Sequence, residues 1–262
     1  MLKDITLGQY FPGNSIIHRL DPRVKLILTL MFVVSLFLAR GVWGYLLNFA
    51  WLAFAVGASR LDLRVIFRGM KPLVFILAFT AILNLFYTPG EELARLWVFK
   101  VTREGISVAA FMLVRILMLV TATFLLTYTT SPMMLTDALE RLLSPLKRIK
   151  IPVHELAMMM TIALRMIPTL IEETEKIMSA QRARGADFES GNLLRRAKAL
   201  IPLLVPLFVS AFRRADDLAM AMECRCYHGG EGRTRMRQLH AAARDGAALL
   251  ITLGLAVATC LI

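Results

Sequence analysis

The amino-acid sequence predicts an all-α membrane protein with about five transmembrane helices and three amphipathic helices on the cytoplasmic side. Of its 262 residues, 57% are hydrophobic and only 19% are charged, whereas soluble globular chains are usually about 45–50% apolar. The apolar residues gather in five segments near the ~20 residues that a spanning helix needs. A further stretch, residues 129–245, has a helical pattern and holds most of the charged residues.

Five apolar segments are long enough, or nearly long enough, to cross a bilayer. The fourth segment contains Arg115, whose charge is costly in lipid and must therefore face protein, water or the interface. Residues 1–22 lack an apolar run long enough for a cleavable signal peptide. The predicted spans are residues 24–39, 42–58, 72–87, 105–128 and 246–262.

The spans divide the chain into three predicted domains. Residues 1–128 would form an N-terminal membrane domain with four spans, and residues 129–245 would form a cytoplasmic insert of three helices. Residues 246–262 would then form a C-terminal transmembrane helix.

The distribution of charge predicts the orientation. Basic residues outnumber acidic ones by four to two in residues 1–25, four to one in 60–71 and eighteen to thirteen in 129–245, whereas the 87–104 loop has three of each. Lys and Arg accumulate in cytoplasmic loops. A multi-pass protein of the cell membrane with a cytoplasmic N-terminus places all three basic regions inside and the C-terminus outside.

The net charge of +12 has two possible explanations. In a membrane protein, basic loops attract anionic lipid headgroups. In a soluble protein, the same excess would suggest nucleic acid, but no aromatic-basic interleaving or recognised binding motif accompanies it. We therefore expect the lipid bilayer, and no nucleic acid, as a partner.

The insert contains one short and two long helical segments. Ser131 can cap the short helix, and Pro132 suits its first turn. A long helix is predicted over residues 153–183, with an apolar face opposite a charged one. A second long helix, residues 193–227, is expected to be interrupted near its two prolines, Pro202 and Pro206. Its apolar run of thirteen residues, 200–212, is too short to span, so it would lie in the interface or against other helices.

Two arginines occupy matching positions at the predicted ends of the long helices. Arg184 and Arg225 each follow an acidic cluster and each have an alanine four residues earlier, with glycines close behind as stop signals. For a single arginine, a charge that complements the helix dipole is the simpler explanation. Two parallel occurrences favour a docking element.

With these features the chain resembles the EcfT family, the transmembrane coupling (T) components of energy-coupling factor (ECF) transporters, over essentially its whole length. The opening residues 8–15 (GQYFPGNS), followed by residues 18–23 (HRLDPR) and Lys25, are similar to that family's opening. The two arginine-centred triplets are similar to its paired Ala-Arg-Gly signatures, although the second departs from them at both flanks. The corresponding residues are Ala183, Arg184 and Gly185, and Cys224, Arg225 and Cys226.

The resemblance implies the partners and the task of the chain. Each arginine would dock into a groove on one of two ABC ATPase subunits of the EcfA and EcfA′ type, which would drive vitamin or micronutrient uptake. The apolar faces of the coupling helices would hold a substrate-binding membrane subunit, the S component. Packing against lipid or within the core explains such faces equally well. The implied platform comprises Met166, Leu170, Ile177, Met178, Phe212 and Met222.

The sequence predicts no catalytic residues, no metal and no cofactor. It contains no Gly-x-x-x-x-Gly-Lys-Ser/Thr loop, so the chain is not expected to be an enzyme and ATP would be hydrolysed on partner subunits. Cys224, Cys226 and His228 lack an evident fourth ligand for zinc. A self-contained permease is the alternative function, disfavoured because the two-half repeat of many secondary transporters is missing. An intramembrane enzyme is disfavoured by the missing nucleophile or metal set.

Overall fold

The computed structural model describes residues 10–89, 92–96, 99–188, 192–230 and 242–261, which fall into two compact units. The membrane unit contains the described residues up to 138 together with 242–261. The insert unit contains the described residues from 139 to 230. The architecture is helical, which confirms the predicted all-α membrane class.

The described residues form eight α-helices. These are α1 (Pro22–Leu38), α2 (Gly41–Ser59), α3 (Leu63–Tyr87), α4 (Arg103–Thr129), α5 (Pro132–Leu143), α6 (Val153–Ala183), α7 (Leu193–Glu223) and α8 (Ala243–Leu261). A short 3-10 helix, Ser144–Ile149, follows α5. Between α3 and α4 the chain adds a small antiparallel hairpin of β1 (Glu92–Leu96) and β2 (Phe99–Thr102). The hairpin was not predicted, because its sequence has no regular apolar alternation.

Five described helices have the length and apolar composition to cross a membrane, namely α2, α3, α4, α6 and α8. This set differs from the predicted spans at two helices. Helix α1, with 17 residues, lies at the lower limit of spanning length. Helix α6 has 31 residues, and its C-terminal half carries Glu172, Glu173 and Glu175, which would be costly in lipid.

Two predictions about helix bounds differ from the structure. The third predicted span was wrong at its start, because α3 begins at Leu63 and continues through Pro72. The predicted interruption of the third insert helix was also wrong, because α7 continues through Pro202 and Pro206 and ends at Glu223. A proline removes one backbone donor and bends a helix without having to end it. The carbonyl of Pro202 accepts a hydrogen bond from Gln181 Nε2 at 3.2 Å.

The core of the membrane unit lies between α1, α2 and α4, with α8 joined to it by polar side chains. Ser35 Oγ donates to Asn48 Oδ1 at 3.0 Å and lies 2.9 Å from Thr259 Oγ1. All three side chains are fully buried, so this cluster links α1, α2 and α8 where water cannot compete. The apolar core beside it comprises Phe32, Leu36, Ala39, Tyr45, Leu52, Met118 and Ala122.

The structure supplies the partners of Arg115, the charged residue within a predicted span. Its Nε donates to the hydroxyl of Tyr45 at 2.8 Å. Its guanidinium also lies 5.4 Å from the ring centre of Phe37 and 5.6 Å from that of Tyr45, within the range of cation–π attraction. Arg115 therefore faces aromatic protein groups inside the unit.

The N-terminal segment before α1 packs against the end of α4. The backbone N–H of Phe11 donates to the Tyr128 carbonyl at 3.0 Å, and the two rings meet edge to face at 5.5 Å. His18 Nδ1 lies 2.7 Å from Ser15 Oγ, and its Nε2 lies 3.0 Å from the Phe11 carbonyl. These contacts give Phe11, Ser15 and His18, in the opening part of the sequence, a structural role in fixing the N-terminal segment.

A buried charged cluster joins α1 to the end of α4 and the start of α8. Lys25 Nζ donates to the Thr129 carbonyl at 2.9 Å and to Thr130 Oγ1 at 3.3 Å. Asp245 Oδ1 accepts from the backbone N–H of Asp21 at 3.0 Å. Lys25, Asp21 and Asp245 are each at least 95% buried. The cluster therefore holds the points where the chain leaves the membrane unit after α4 and re-enters it at α8.

Candidate functional site

The end of α6 is closed by a Schellman motif centred on Arg184. The backbone N–H of Ala186 donates to the Gln181 carbonyl at 3.0 Å, and that of Gly185 donates to the Arg182 carbonyl at 2.9 Å. This pattern requires a left-handed residue directly after the C-cap residue. Gly185 supplies it with a φ of +86°, which places Arg184 at the C-cap.

The end of α7 has the same hydrogen-bond pattern around Arg225. The N–H of Tyr227 donates to the Met222 carbonyl at 3.1 Å, and that of Cys226 donates to the Glu223 carbonyl at 2.8 Å. Cys226 takes the left-handed position with a φ of +54°, although a side chain makes that conformation less favourable than for glycine. The departure from Ala-Arg-Gly therefore leaves the helix ending intact, and Arg225 is the counterpart of Arg184.

Both arginines are available for a partner. Arg184 and Arg225 are exposed, as are the flanking Ala183, Gly185, Cys224 and Cys226. Within residues 139–188 and 192–230, neither guanidinium forms an ion pair. The backbone around each arginine is fixed by the helix ending, whereas its planar set of five donors stays open to a carboxylate or carbonyl groove.

Helices α6 and α7 pack in opposite directions, as the contacts between them show. Arg214 Nη2 lies 2.8 Å from Glu173 Oε2, and Ser210 Oγ donates to Glu173 Oε1. Gln181, further along α6, contacts Pro202, which lies earlier in α7. Residues further along α6 therefore contact residues earlier in α7, so the two helices are antiparallel.

The two arginines consequently lie at opposite ends of the helix pair. Arg184 is eleven residues beyond Glu173 on α6, and Arg225 is fifteen residues beyond Ser210 on α7. At 1.5 Å per residue these distances are roughly 16 Å and roughly 22 Å from the crossing, in opposite senses. Two arginines so far apart can contact two separate partners.

One face of α7 is an exposed apolar stripe. Its positions recur every three to four residues, so they share a face of the helix, and each side chain is at least 43% exposed. An apolar row of this length on a structure's surface marks an interaction site or a membrane contact. The stripe, which we call the α7 stripe, comprises Ile201, Leu204, Val205, Phe208, Val209 and Phe212.

The predicted platform and the α7 stripe overlap at one residue. Phe212 is 69% exposed. The other predicted platform residues, Met166, Leu170, Ile177, Met178 and Met222, are half-buried. The sequence analysis placed the apolar run 200–212 in the interface or against other helices, but it assigned only Phe212 of the α7 stripe to the platform, although the spacing of the other residues already had the helical period.

The described residues contain no group of three or more His, Cys, Asp or Glu side chains that could hold a metal ion. Cys224 and Cys226 are free, exposed thiols. His154 Nδ1 lies 2.9 Å from Glu140 Oε1, and its ring packs against Gly230. The prominent features of the insert unit are therefore the two arginine ends and the α7 stripe.

The fold and the site define a class: helical membrane proteins whose two long amphipathic helices end on matched, exposed arginines. The family model CbiQ, described as cobalt transport protein, matches residues 13–236. The relatives named energy-coupling factor transporter transmembrane protein EcfT include one from Heliobacterium modesticaldum, 56% identical over 100% of this chain and 98% of its own. Those from Ruminiclostridium cellulolyticum and Thermosediminibacter oceani are 55% and 54% identical over 91% and 98% of this chain and 90% and 97% of their own. The chain therefore belongs to the CbiQ family and, with these relatives, to the EcfT transmembrane proteins, which confirms the resemblance seen in the sequence.

Proposed function

We propose that the chain is the transmembrane coupling subunit of an ECF-type ABC importer. In this function it links ATP hydrolysis on two partner ATPases, of the EcfA and EcfA′ type, to vitamin or micronutrient uptake through a separate substrate-binding S component. The observation that carries the proposal is the matched pair of exposed arginines that follow the C-terminal ends of α6 and α7 and lie at opposite ends of the helix pair. Two equivalent contacts placed far apart fit two homologous ATPases.

The helix pair is suited to transmit a displacement from one end to the other. Glu173 binds Ser210 and Arg214 across the crossing. This contact fixes the relative position of the two helices near the middle of the pair. A movement imposed by an ATPase on Arg184 or Arg225 would therefore move both helices together instead of bending one end alone.

The α7 stripe is the proposed platform for the S component, together with the six platform residues predicted from the sequence. A membrane subunit presents apolar helices, and burial of apolar surface drives association of such faces. Phe208 and Phe212, which are 60% and 69% exposed, are the large side chains that would contribute most of the contact.

The proposed topology follows the basic loops. The N-terminus and residues 129–245 would face the cytoplasm, where ATP is available, and the C-terminus would lie outside the cell membrane. In a chain whose three native cysteines are replaced by serine, a cysteine introduced in residues 87–89 should therefore react with an impermeant thiol reagent in intact cells, whereas one at Ala183 should not. Labelling of position 183 from outside would contradict the function as well as the topology.

Alanine substitution of the two arginines tests the coupling function. A guanidinium held in a partner's groove typically costs roughly 2–5 kcal/mol when truncated, so Arg184→Ala and Arg225→Ala should each weaken ATPase co-purification and vitamin uptake. The double variant should nearly abolish both. Lysine at either position should restore assembly only in part, because an ammonium lacks the planar donor set.

Two exposed arginines on the same helices provide matched controls. Arg165→Ala on α6 and Arg213→Ala on α7 remove the same charge away from the helix ends and should leave assembly unchanged. Normal assembly and uptake in the double Arg184/Arg225 variant would refute the docking function. Uptake by the purified chain alone in vesicles would favour a self-contained permease.

A further inference from the structure

Three arginines from separate parts of the membrane unit line one cavity of about 550 Å³. Arg19 precedes α1, Arg60 follows α2 and Arg244 lies in the first turn of α8. All three are exposed and form no ion pair among the described residues. The lining residues, which also include Asn14 and Ser15, contain no carboxylate. The cavity is therefore strongly positive.

An apolar groove of about 290 Å³ adjoins this cavity and shares part of its wall. The shared residues are Ile16, Phe54, Ala58 and Arg244. Beyond them the groove runs between α1, α2, α4 and α8, with Leu28, Phe32, Trp51, Ala55, Leu125 and Ile251 among its lining side chains. A positive cavity thus continues directly into an apolar groove.

The backbone at Arg60 is unusual in a way that favours a role for its side chain. Arg60 closes α2 in the left-handed conformation, with a φ of +53°. Side chains other than those of Gly, Asn and Asp rarely occupy this region. Arg60 nevertheless occupies this conformation, and it is one of the residues that line the positive cavity.

We propose that the cavity and the groove together bind one anionic phospholipid. The phosphate would lie among Arg19, Arg60 and Arg244, since guanidinium groups bind phosphate oxygens with paired hydrogen bonds. One acyl chain would occupy the groove. Three positive charges without a lining carboxylate favour a headgroup with net negative charge over a zwitterionic one, and a soluble phosphate would leave the groove unused.

The position of the arginines is consistent with a headgroup site. The start of α1, the end of α2 and the start of α8 form one end of the membrane unit, where a lipid headgroup meets the ends of spanning helices. Exposed Ile16 and Phe54, at 68% and 66% exposure, flank the junction of cavity and groove. This lipid site does not depend on the proposed coupling function.

Native mass spectrometry of the full chain in detergent can test the site. The chain is incubated with equimolar phosphatidylglycerol and phosphatidylcholine, and separately with glycerol phosphate as the soluble headgroup. One phosphatidylglycerol per chain should be retained in preference to phosphatidylcholine. Each basic residue near an anionic lipid contributes roughly a fivefold factor, so the triple variant Arg19→Gln, Arg60→Gln and Arg244→Gln should lose roughly a hundredfold in retention.

A second triple variant separates a built site from general attraction. Arg64→Gln, Arg68→Gln and Lys71→Gln remove the same charge from exposed residues outside both cavities and should retain the lipid. Ala58→Phe, at the junction, should reduce lipid retention without any change of charge. Equal loss in both triple variants, unselective retention of phosphatidylcholine, or glycerol phosphate binding that Ala58→Phe leaves unchanged would each overturn the proposal.

Discussion

The membrane unit and the insert unit differ in how many side chains they bury and of which kind. In the membrane unit the fully buried set includes polar groups such as Ser35, Asn48 and Thr259, and many large apolar side chains lie on the outside. In the described part of the insert unit, only Val153, Ala157 and Leu203 are buried apolar residues. The membrane unit therefore has an interior of its own, made of an apolar core and polar contacts, whereas the insert unit leaves most of its apolar surface available for contacts outside itself.

The largest expected effect is at Lys25, in the charged cluster of the membrane unit. Lys25→Met should lower the free energy of unfolding by about 3 kcal/mol, because it leaves the buried Thr129 carbonyl and the Thr130 hydroxyl without their shared donor. Unfolding of the purified chain in detergent would measure the loss. Arg64→Met, at an exposed position, is the control, and equal stability of the two variants would show that the cluster is not what holds this unit together.

Substitution of Phe208, in the α7 stripe, is expected to affect assembly and not stability. Phe208→Ser should leave the stability of the chain unchanged, because the side chain is 60% exposed. It should weaken co-purification of the S component by roughly 2 kcal/mol or more if Phe208 is an anchor of that contact. Asp217→Ser, on the opposite side of α7, should leave both properties unchanged. A loss of stability without a loss of assembly would show that the stripe packs within the chain and does not bind a partner.

A smaller effect is expected at the polar cluster of the membrane unit. Ser35→Ala should cost about 1 kcal/mol, because hydrogen bonds between membrane helices contribute roughly 0.6–1.7 kcal/mol. Ser107→Ala, at an exposed position on α4, should cost less than the error of the measurement. Both values come from the same unfolding experiment. Indistinguishable values would mean that the apolar core alone sets stability.

The smallest expected effects concern the end of α7, where Cys226 takes the left-handed position that Gly185 takes after α6. Cys226→Gly should stabilise the end of α7 by roughly 1 kcal/mol, because glycine adopts a positive φ without a steric penalty. Ala221→Gly, in the last turn of α7, should destabilise it by roughly 0.5–1 kcal/mol, because glycine is unfavourable within a helix. Hydrogen exchange of the last-turn amides reports both changes. Effects of the same sign would contradict the shared helix ending.

The sequence was sufficient for features that depend on local pattern. The apolar segments revealed most of the membrane helices, and the glycine at position 185 predicted the end of α6. Ser131 caps α5 as expected, with the N–H of Met134 donating to its hydroxyl at 3.4 Å. These signals are local because each depends on residues within one or two turns.

Features that depend on tertiary contacts could not be read from the sequence. The partner of Arg115 is Tyr45, seventy residues earlier, and Asp245 meets Asp21 across most of the chain. The rule that a proline interrupts a helix failed at Pro202 and Pro206, because packing of the surrounding helix outweighs the loss of one hydrogen bond. The second helix ending needed the structure, since cysteine is not a usual left-handed residue.

The crossing of α6 and α7 makes the two arms of the helix pair unequal. Measured from the contact of Glu173 with Ser210, the arm to Arg184 is roughly 16 Å and the arm to Arg225 is roughly 22 Å. For a given rotation about that pivot, the tip at Arg225 travels about a third further than the tip at Arg184. Under the proposed docking, equal displacements at Arg184 and Arg225 would therefore turn the helix pair by different angles.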